Sequence, residues 1–226
     1  MKSCLQYVIN NIKNIVYIYV LIGLTSVHSG SYDDFFTAIK QDDFEKISGL
    51  LKRGFDPNTV DTMGTPGLVL ALKGSAFKSV QVLLSDPQIK VEVRNAADES
   101  PLMLAALKGD TQLCLKLIQK GADVNKPGWA PLHYAATNGH LEVMKLLLDE
   151  HAYIDAASPN NTTPLMMAAR YGTPSAVKLL LEAGADPLLK NDLGLTAIDF
   201  AVQASRTESA NIIAAFVRGL QPKGRW

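Results

Sequence analysis

The 226-residue sequence predicts an all-α fold, a solenoid of short helix–turn–helix units stacked side by side. Three observations predict it. Pro66, Pro101, Pro131, Pro164 and Ala197 recur at spacings of 35, 30, 33 and 33 residues. The turn positions Gly74, Gly109, Gly139, Gly172 and Ser205 keep step with them. Small pairs, Ala105-Ala106, Ala135-Ala136 and Ala168-Ala169, precede leucine-rich runs such as Leu146-Leu147-Leu148 and Leu179-Leu180-Leu181. A period in the range of about 20–50 residues marks stacked repeats, because one unit alone cannot bury its apolar face.

Each part of a unit has a physical reason. Thr65-Pro66, Ser100-Pro101 and Thr163-Pro164 pair a hydroxyl N-cap with a proline at the first helical position. The hydroxyl accepts from a free backbone N–H, and the proline lacks only a donor that has no helical partner there. The alanine pairs let helices approach closely. Leu83-Leu84, Leu115 to Ile118, and the two later leucine runs form the apolar stripe of each second helix. Gly121-Ala122-Asp123 and Gly184-Ala185-Asp186 end that helix, with glycine suited to the left-handed position after it. On this pattern, Leu146→Ala is expected to cost roughly 2–5 kcal/mol and to loosen the fourth unit first.

The units resemble ankyrin repeats, most closely in Pro131-Leu132-His133-Tyr134-Ala135-Ala136-Thr137-Asn138-Gly139-His140 and in Gly184-Ala185-Asp186. The resemblance covers about residues 32–220. It implies a curved solenoid with β-turn fingers along one edge, about six repeats including caps. These are expected at 32–58, 59–92, 93–125, 126–157, 158–190 and 191–220, making one repeat domain over 30–220. The first is a polar-faced cap with Phe35, Phe36 and Ile39 inward. In the second, Gly67 stands where leucine is usual. The last is a degenerate cap, with Ala197 in place of proline. Residues 221–226 read as a short basic C-terminal tail.

Residues 1–29 read differently. Lys2 and Lys13 are their only charges, Ile15 to Leu24 is apolar apart from Gly23, and Val27 and Ser29 are small residues placed for a cut after Ser29. This is the pattern of a secretory signal peptide. The alternative is an uncleaved anchor, although Asn10, Asn11, Lys13 and Asn14 shorten any spanning run.

Composition narrows the function. The 22 basic and 22 acidic residues balance, which argues against a nucleic-acid surface. Of two cysteines, Cys4 lies in the leader, so Cys114 has no partner for a disulfide in the mature chain. Set among Leu113, Leu115, Leu117 and Ile118, it reads as a small buried apolar residue. Phosphate loops, paired Cys-x-x-Cys, His-Glu-x-x-His and Gly-x-Ser-x-Gly motifs are all absent from the sequence. His133 and His140 hold positions where the family has histidine, and His151 replaces a helix-ending glycine. No catalytic residue, metal site or cofactor is expected. Ala130 replaces the threonine to which His133 would bond in the family, so His133 needs another acceptor, in the backbone of the next repeat.

The resemblance implies a non-enzymatic scaffold that binds another protein through the first-helix face and the finger tips. Carrying the family's variable positions over by register gives the expected contact residues Lys108, Trp129, Tyr134, Asn138, Met167, Arg170 and Tyr171. Tryptophan, tyrosine and arginine dominate interface hot spots. The shortened stretch before Trp129 is expected to expose it. The reading is an exported monomer in the periplasm or outside the cell, acting on a protein partner. A secreted effector, or an immunity or stress-protection partner that sequesters one enzyme, is the alternative.

Overall fold

The computed structural model describes residues 30–220, so the expected leader and C-terminal tail lie outside the described residues. The chain forms two compact units that divide between Ile89 and Lys90. Every described element is helical, apart from one isolated bridge between Val60 and Pro66.

The first unit holds α1 over 30–41, α2 (Phe44–Lys52), α3 (Gly67–Lys73) and α4 (Phe77–Ser85). Phe35 is its centre, fully buried between Phe36 and Phe55, with ring centroids 5.2 and 4.7 Å away. Gly67 exists for this ring: a Cβ there would stand 2.8 Å from Phe35. The register expected for this repeat is corrected by one residue. Pro66 is the N-cap of α3 rather than its first residue, no side chain caps that helix, and Thr65 belongs to the finger. First helices therefore begin at Gly67, Pro101, Pro131, Pro164 and Ala197, at intervals of 34, 30, 33 and 33 residues. Leu68, not Gly67, takes the inward leucine place, and it is 1 % exposed. The left-handed turn residue is accordingly Ser75 (φ 57°), not Gly74.

Helix α4 has no cap of its own, since its N-cap is Ala76. Asp42, in the previous turn, supplies the missing acceptor. Its carboxylate takes the Ser79 N–H and hydroxyl, both at 2.8 Å, and the Lys78 N–H at 3.4 Å. Burial opposes ionisation of Asp42, but these bonds outweigh it and hold the carboxyl below its ordinary pKa.

The second unit holds four helix pairs: α5 (Pro101–Lys108) with α6 (Thr111–Gln119), α7 (Pro131–Asn138) with α8 (Leu141–Asp149), α9 (Pro164–Arg170) with α10 (Pro174–Glu182), and α11 (Ala197–Gln203) with α12 (Thr207–Leu220). First helices pack in the order α5, α7, α9, α11, and second helices in the order α6, α8, α10, α12. The alanine pairs are fully buried between neighbouring first helices. At Gly172 the approach is closest: a Cβ would lie 2.4 Å from the Ala136 carbonyl oxygen, so space rather than φ demands glycine. Ser100 and Thr163 cap their helices as expected, accepting from Met103 and Met166 N–H at 3.3 and 3.4 Å. In the leucine run of α8 the core residue is Leu147, fully buried, while Leu146 is half-buried. The cost of about 2–5 kcal/mol for truncation to alanine belongs to Leu147.

Side chains tie consecutive repeats along both edges. On the turn edge, Asn138 Nδ2 donates to the Leu107 carbonyl at 2.8 Å, His140 Nε2 lies 3.0 Å from the same oxygen, and Arg206 donates to the Tyr171 and Gly172 carbonyls. His140 sits against Gly109, where a Cβ would meet its ring at 2.5 Å. On the other edge, Glu92 accepts from Asp123 N–H, Asn125 bonds the His151 carbonyl and Tyr153 N–H, and Asp155 accepts from Asp186 N–H. Cys114 is buried, which pushes its thiol up to about 12 and leaves it a core residue.

Candidate functional site

Most fingers build themselves. In the second unit, Asn95 accepts from the N–H groups of Ala97 and Glu99, and Asn191 from those of Leu193 and Leu195, all at 3.0 Å. Ser158 does the same for Thr162 at 2.9 Å. A side-chain acceptor held over two and four residues makes a closed turn without help from outside. Asp61 heads the same turn in the first unit. The finger over 124–130 is shorter, and among the described residues it has no such turn.

What replaces it is a set of side-chain bonds to its neighbours. Lys126, with only 3 % of its side chain exposed, places its ammonium on the Asp98 carboxylate of the preceding finger. Hydrogen bonding from Lys126, then from Arg94, holds Asp98 below the usual carboxylate range. Ala130 offers no side-chain acceptor, and His133 makes only the return bond of the cap, as Met103 and Met166 do in their repeats. Its Nδ1 accepts from Ala130 N–H at 3.1 Å, which fixes the proton on Nε2, and Nε2 donates to the Thr162 carbonyl at 2.9 Å. The acceptor expected in the next repeat is therefore the Thr162 carbonyl. His133 is fully buried, and burial holds it below the ordinary histidine pKa.

On this histidine stands Trp129, edge-on, with ring centroids 5.2 Å apart. The indole is half-buried rather than freely exposed, because the His133 edge supports it. Trp129 and His133 line a pocket of about 230 Å³ with Leu107, Tyr134, Thr137 and Met167. The lining comes from three successive first helices and the short finger. Tyr134 and Met167 are half-buried, each presenting part of its side chain to solvent. Burial, followed by the negative charges of Glu99 and Asp98, raises the Tyr134 pKa.

Of the other expected contact residues, Arg170 and Tyr171 share one end of α9. Arg170 lies over the Tyr171 ring at 5.3 Å and over the Phe200 ring at 5.9 Å. Tyr171 is 53 % exposed. Lys108 is exposed on the turn side. Asn138 is also exposed, but its amide is committed to the Leu107 carbonyl, so it acts as an inter-repeat tie. The pocket thus joins Trp129, Tyr134 and Met167, and leaves Lys108, Asn138, Arg170 and Tyr171 outside its lining. Reasoning from the sequence missed His133 as part of the pocket wall. The signal was available in its place at the third position of α7, four residues after Trp129 and next to Tyr134. Among the described residues no group of three or more His, Cys, Asp or Glu side chains is arranged to hold a metal ion.

The family model for ankyrin repeats in sets of three matches four overlapping segments, 35–127, 68–160, 102–191 and 132–220. The chain belongs to the ankyrin-repeat family. Ankyrin repeats are protein-binding scaffolds. This ankyrin protein is similar to the putative ankyrin repeat protein YahD of Escherichia coli K12, 29 % identical over 192 residues, covering 80 % of this chain and 94 % of the relative. It also resembles the human transient receptor potential cation channel subfamily A member 1, at 29 % identity over 68 % of this chain but only 15 % of the channel protein. Among solved structures it resembles a chain in the complex of the predatory endopeptidase Bd0816 from Bdellovibrio bacteriovorus with immunity protein Bd3460. That match has 30 % identity and a TM-score of 0.69, covering 80 % of this chain and 97 % of that one.

Proposed function

We propose that this ankyrin protein is an exported, non-enzymatic scaffold of the periplasm that holds one partner protein on the first-helix face of its fourth and fifth repeats. One observation carries the reading. The shortened finger leaves an aromatic-lined apolar pocket, walled by Trp129, Tyr134 and Met167, on the face where ankyrin repeats present their variable residues. A concave apolar pocket with a tryptophan and a tyrosine is the usual form of an interface anchor site. Export rests on the basic, apolar and small-residue pattern of residues 1–29.

A second reading is favoured by a specific likeness. The complex of endopeptidase Bd0816 with immunity protein Bd3460 contains a chain that this one matches at 97 % coverage. By that analogy the partner is an exported hydrolase, and the scaffold holds it inactive. The test is a capture from envelope extract with the wild type beside a Trp129→Ala/Tyr171→Ala variant of equal Tm. Capture of one protein by the wild type and its loss with the variant supports the reading. Equal capture by both removes these residues from the site. If the captured protein is a hydrolase whose activity falls in proportion to added scaffold, the sequestration reading holds.

A further inference from the structure

Beside the pocket lies a guanidinium that is positioned but not neutralised. Four arginines of the second unit lie among its described residues; Arg218 is exposed near the end of α12, away from the pocket lining, and the other three can be compared. Arg94 is taken up by carboxylates, Glu92 at 2.7 Å and Asp98 at 3.2 Å. Arg206 is spent on the Tyr171 and Gly172 carbonyls. Arg170 has neither kind of partner. Its recorded hydrogen bond, to Gln203 Oε1, is long at 3.5 Å, and it has no ion pair among the described residues. Two rings hold it instead, those of Tyr171 and Phe200. Stacking engages the face of a guanidinium and leaves its edge, where the N–H donors point, available for a fork-like pair of bonds.

Position completes the case. Met167 lines the pocket, and Arg170 follows it by three residues on the same helix. Side chains spaced i and i+3 are neighbours on a helix surface, roughly 5–6 Å apart at Cβ. An apolar socket and a preorganised cation therefore stand within one helical turn of each other. Glu99 and Asp98, which precede α5, bear on Tyr134, but Asp98 is already paired with Lys126 and Arg94. With Glu99 before α5 and Arg170 on α9, charge is uneven along the first helices, which selects an orientation as well as a composition.

We infer that the partner docks through an aliphatic or aromatic side chain seated against Trp129, Tyr134 and Met167, with an aspartate or glutamate within about one turn of it paired to Arg170. This deepens the proposed function and rests on that reading of the pocket.

The experiment is selection of a random 12-residue peptide library, displayed on phage, against the immobilised protein and its Arg170→Glu and Trp129→Ala variants. Each variant is first matched to the wild type by thermal melt. The wild type is expected to enrich peptides with an apolar residue and an acid within four positions of it. Arg170→Glu is expected to keep the apolar residue and exchange the acid for lysine or arginine. A synthetic peptide of the selected consensus is expected to bind Arg170→Gln at least about tenfold more weakly, as loss of a charge-assisted pair requires. Three results would overturn the inference: no enrichment of any peptide, no acid among the wild-type selections, or the same acid preference in Arg170→Glu. Apolar selection that depends on Trp129 but shows no acid preference would sink this inference alone. Selection indifferent to Trp129 would sink the pocket as well.

Discussion

The fingers at 191–195 and at 124–130 solve one problem, how the chain enters a first helix, in opposite ways. At 191–195 the Asn191 carboxamide closes the turn from within, taking Leu193 and Leu195 N–H at 3.0 Å, while Gly194 (φ 73°) supplies the left-handed bend. At 124–130 the loop is too short for that turn. Its entry is held by Lys126 on Asp98 and by His133 between Ala130 and Thr162. The regular finger closes its own turn, and among the described residues only its Asp192 is joined to the preceding finger, by Asn160 and Asn161. The short finger depends on its neighbours, and in exchange leaves Trp129 standing on His133 at the mouth of an apolar pocket. Departure from the repeat is therefore what opens the pocket on which the proposed function rests.

The strongest way to break this contrast is at His133. His133→Ala leaves the buried Ala130 N–H and the Thr162 carbonyl without their partners, and is expected to cost about 2–5 kcal/mol in urea unfolding. His133→Met installs the residue that the third and fifth repeats carry as Met103 and Met166. In those repeats the thioether accepts from the cap N–H of Ser100 or Thr163 at 3.4 Å. That variant should lose only the bond to Thr162, about 1–3 kcal/mol.

The same histidine gives a pH signature. Burial depresses its folded-state pKa, so the unfolded chain takes up the proton first as pH falls. Its contribution is complete above the unfolded histidine pKa of about 6.5 and is lost as pH falls from there through the folded value. Asp98 and Asp42 also have lowered values, so their contributions hold above about pH 4 and disappear below it. Urea midpoints measured across pH should show a first loss below about 6.5 that His133→Met abolishes, and a second below about 4 that it leaves in place.

Asp98→Ala should have a smaller effect. It removes the carboxylate from an ammonium whose side chain is only 3 % exposed, but Asp98 itself is 61 % exposed and water can replace part of it. A loss of about 1–2 kcal/mol is expected, with local amide exchange rising first in 124–130. Asn191→Ala, which opens a turn closed by its own side chain, should cost about 1 kcal/mol and leave the Trp129 pocket unchanged, as judged by tryptophan fluorescence. The smallest effect runs the other way. His151 holds a left-handed backbone (φ 64°) where Gly121 and Gly184 stand in the flanking repeats. His151→Gly should stabilise by about 0.5–1 kcal/mol, since the Asn125 bond goes to the backbone carbonyl and survives.

The helices were legible because each is punctuated by residues with one local use: Ser100 and Thr163 before prolines, Gly109 and Gly139 after the helix, paired alanines between. The first helix of the second repeat was misread because Thr65-Pro66 imitates that punctuation. Thr65 is instead held in the finger by Asp61, at 2.8 Å, which moves the helix start on by one residue. Within α8, leucines at three consecutive positions could not reveal which one points inward. At the site, Trp129, Tyr134 and Met167 could be placed by register alone. The roles of Asn138 and His140 could not, because both depend on the Leu107 carbonyl more than thirty positions earlier in the chain. Arg170 was legible as a residue type, but its rings and its lack of a carboxylate are facts of three-dimensional placement.

The central claim is that the partner sits on the first-helix face around the pocket. Site-specific photo-cross-linking in the cells that make the protein tests it most directly. A photoreactive amino acid is placed in turn at Thr137, on the pocket, and at Lys145 and Lys178, which line a shallow depression between the second helices α8 and α10. One discrete adduct from position 137, with none from 145 or 178, is the expected result. Adducts from 145 or 178 with none from 137 would contradict it and move the binding surface to the second-helix layer.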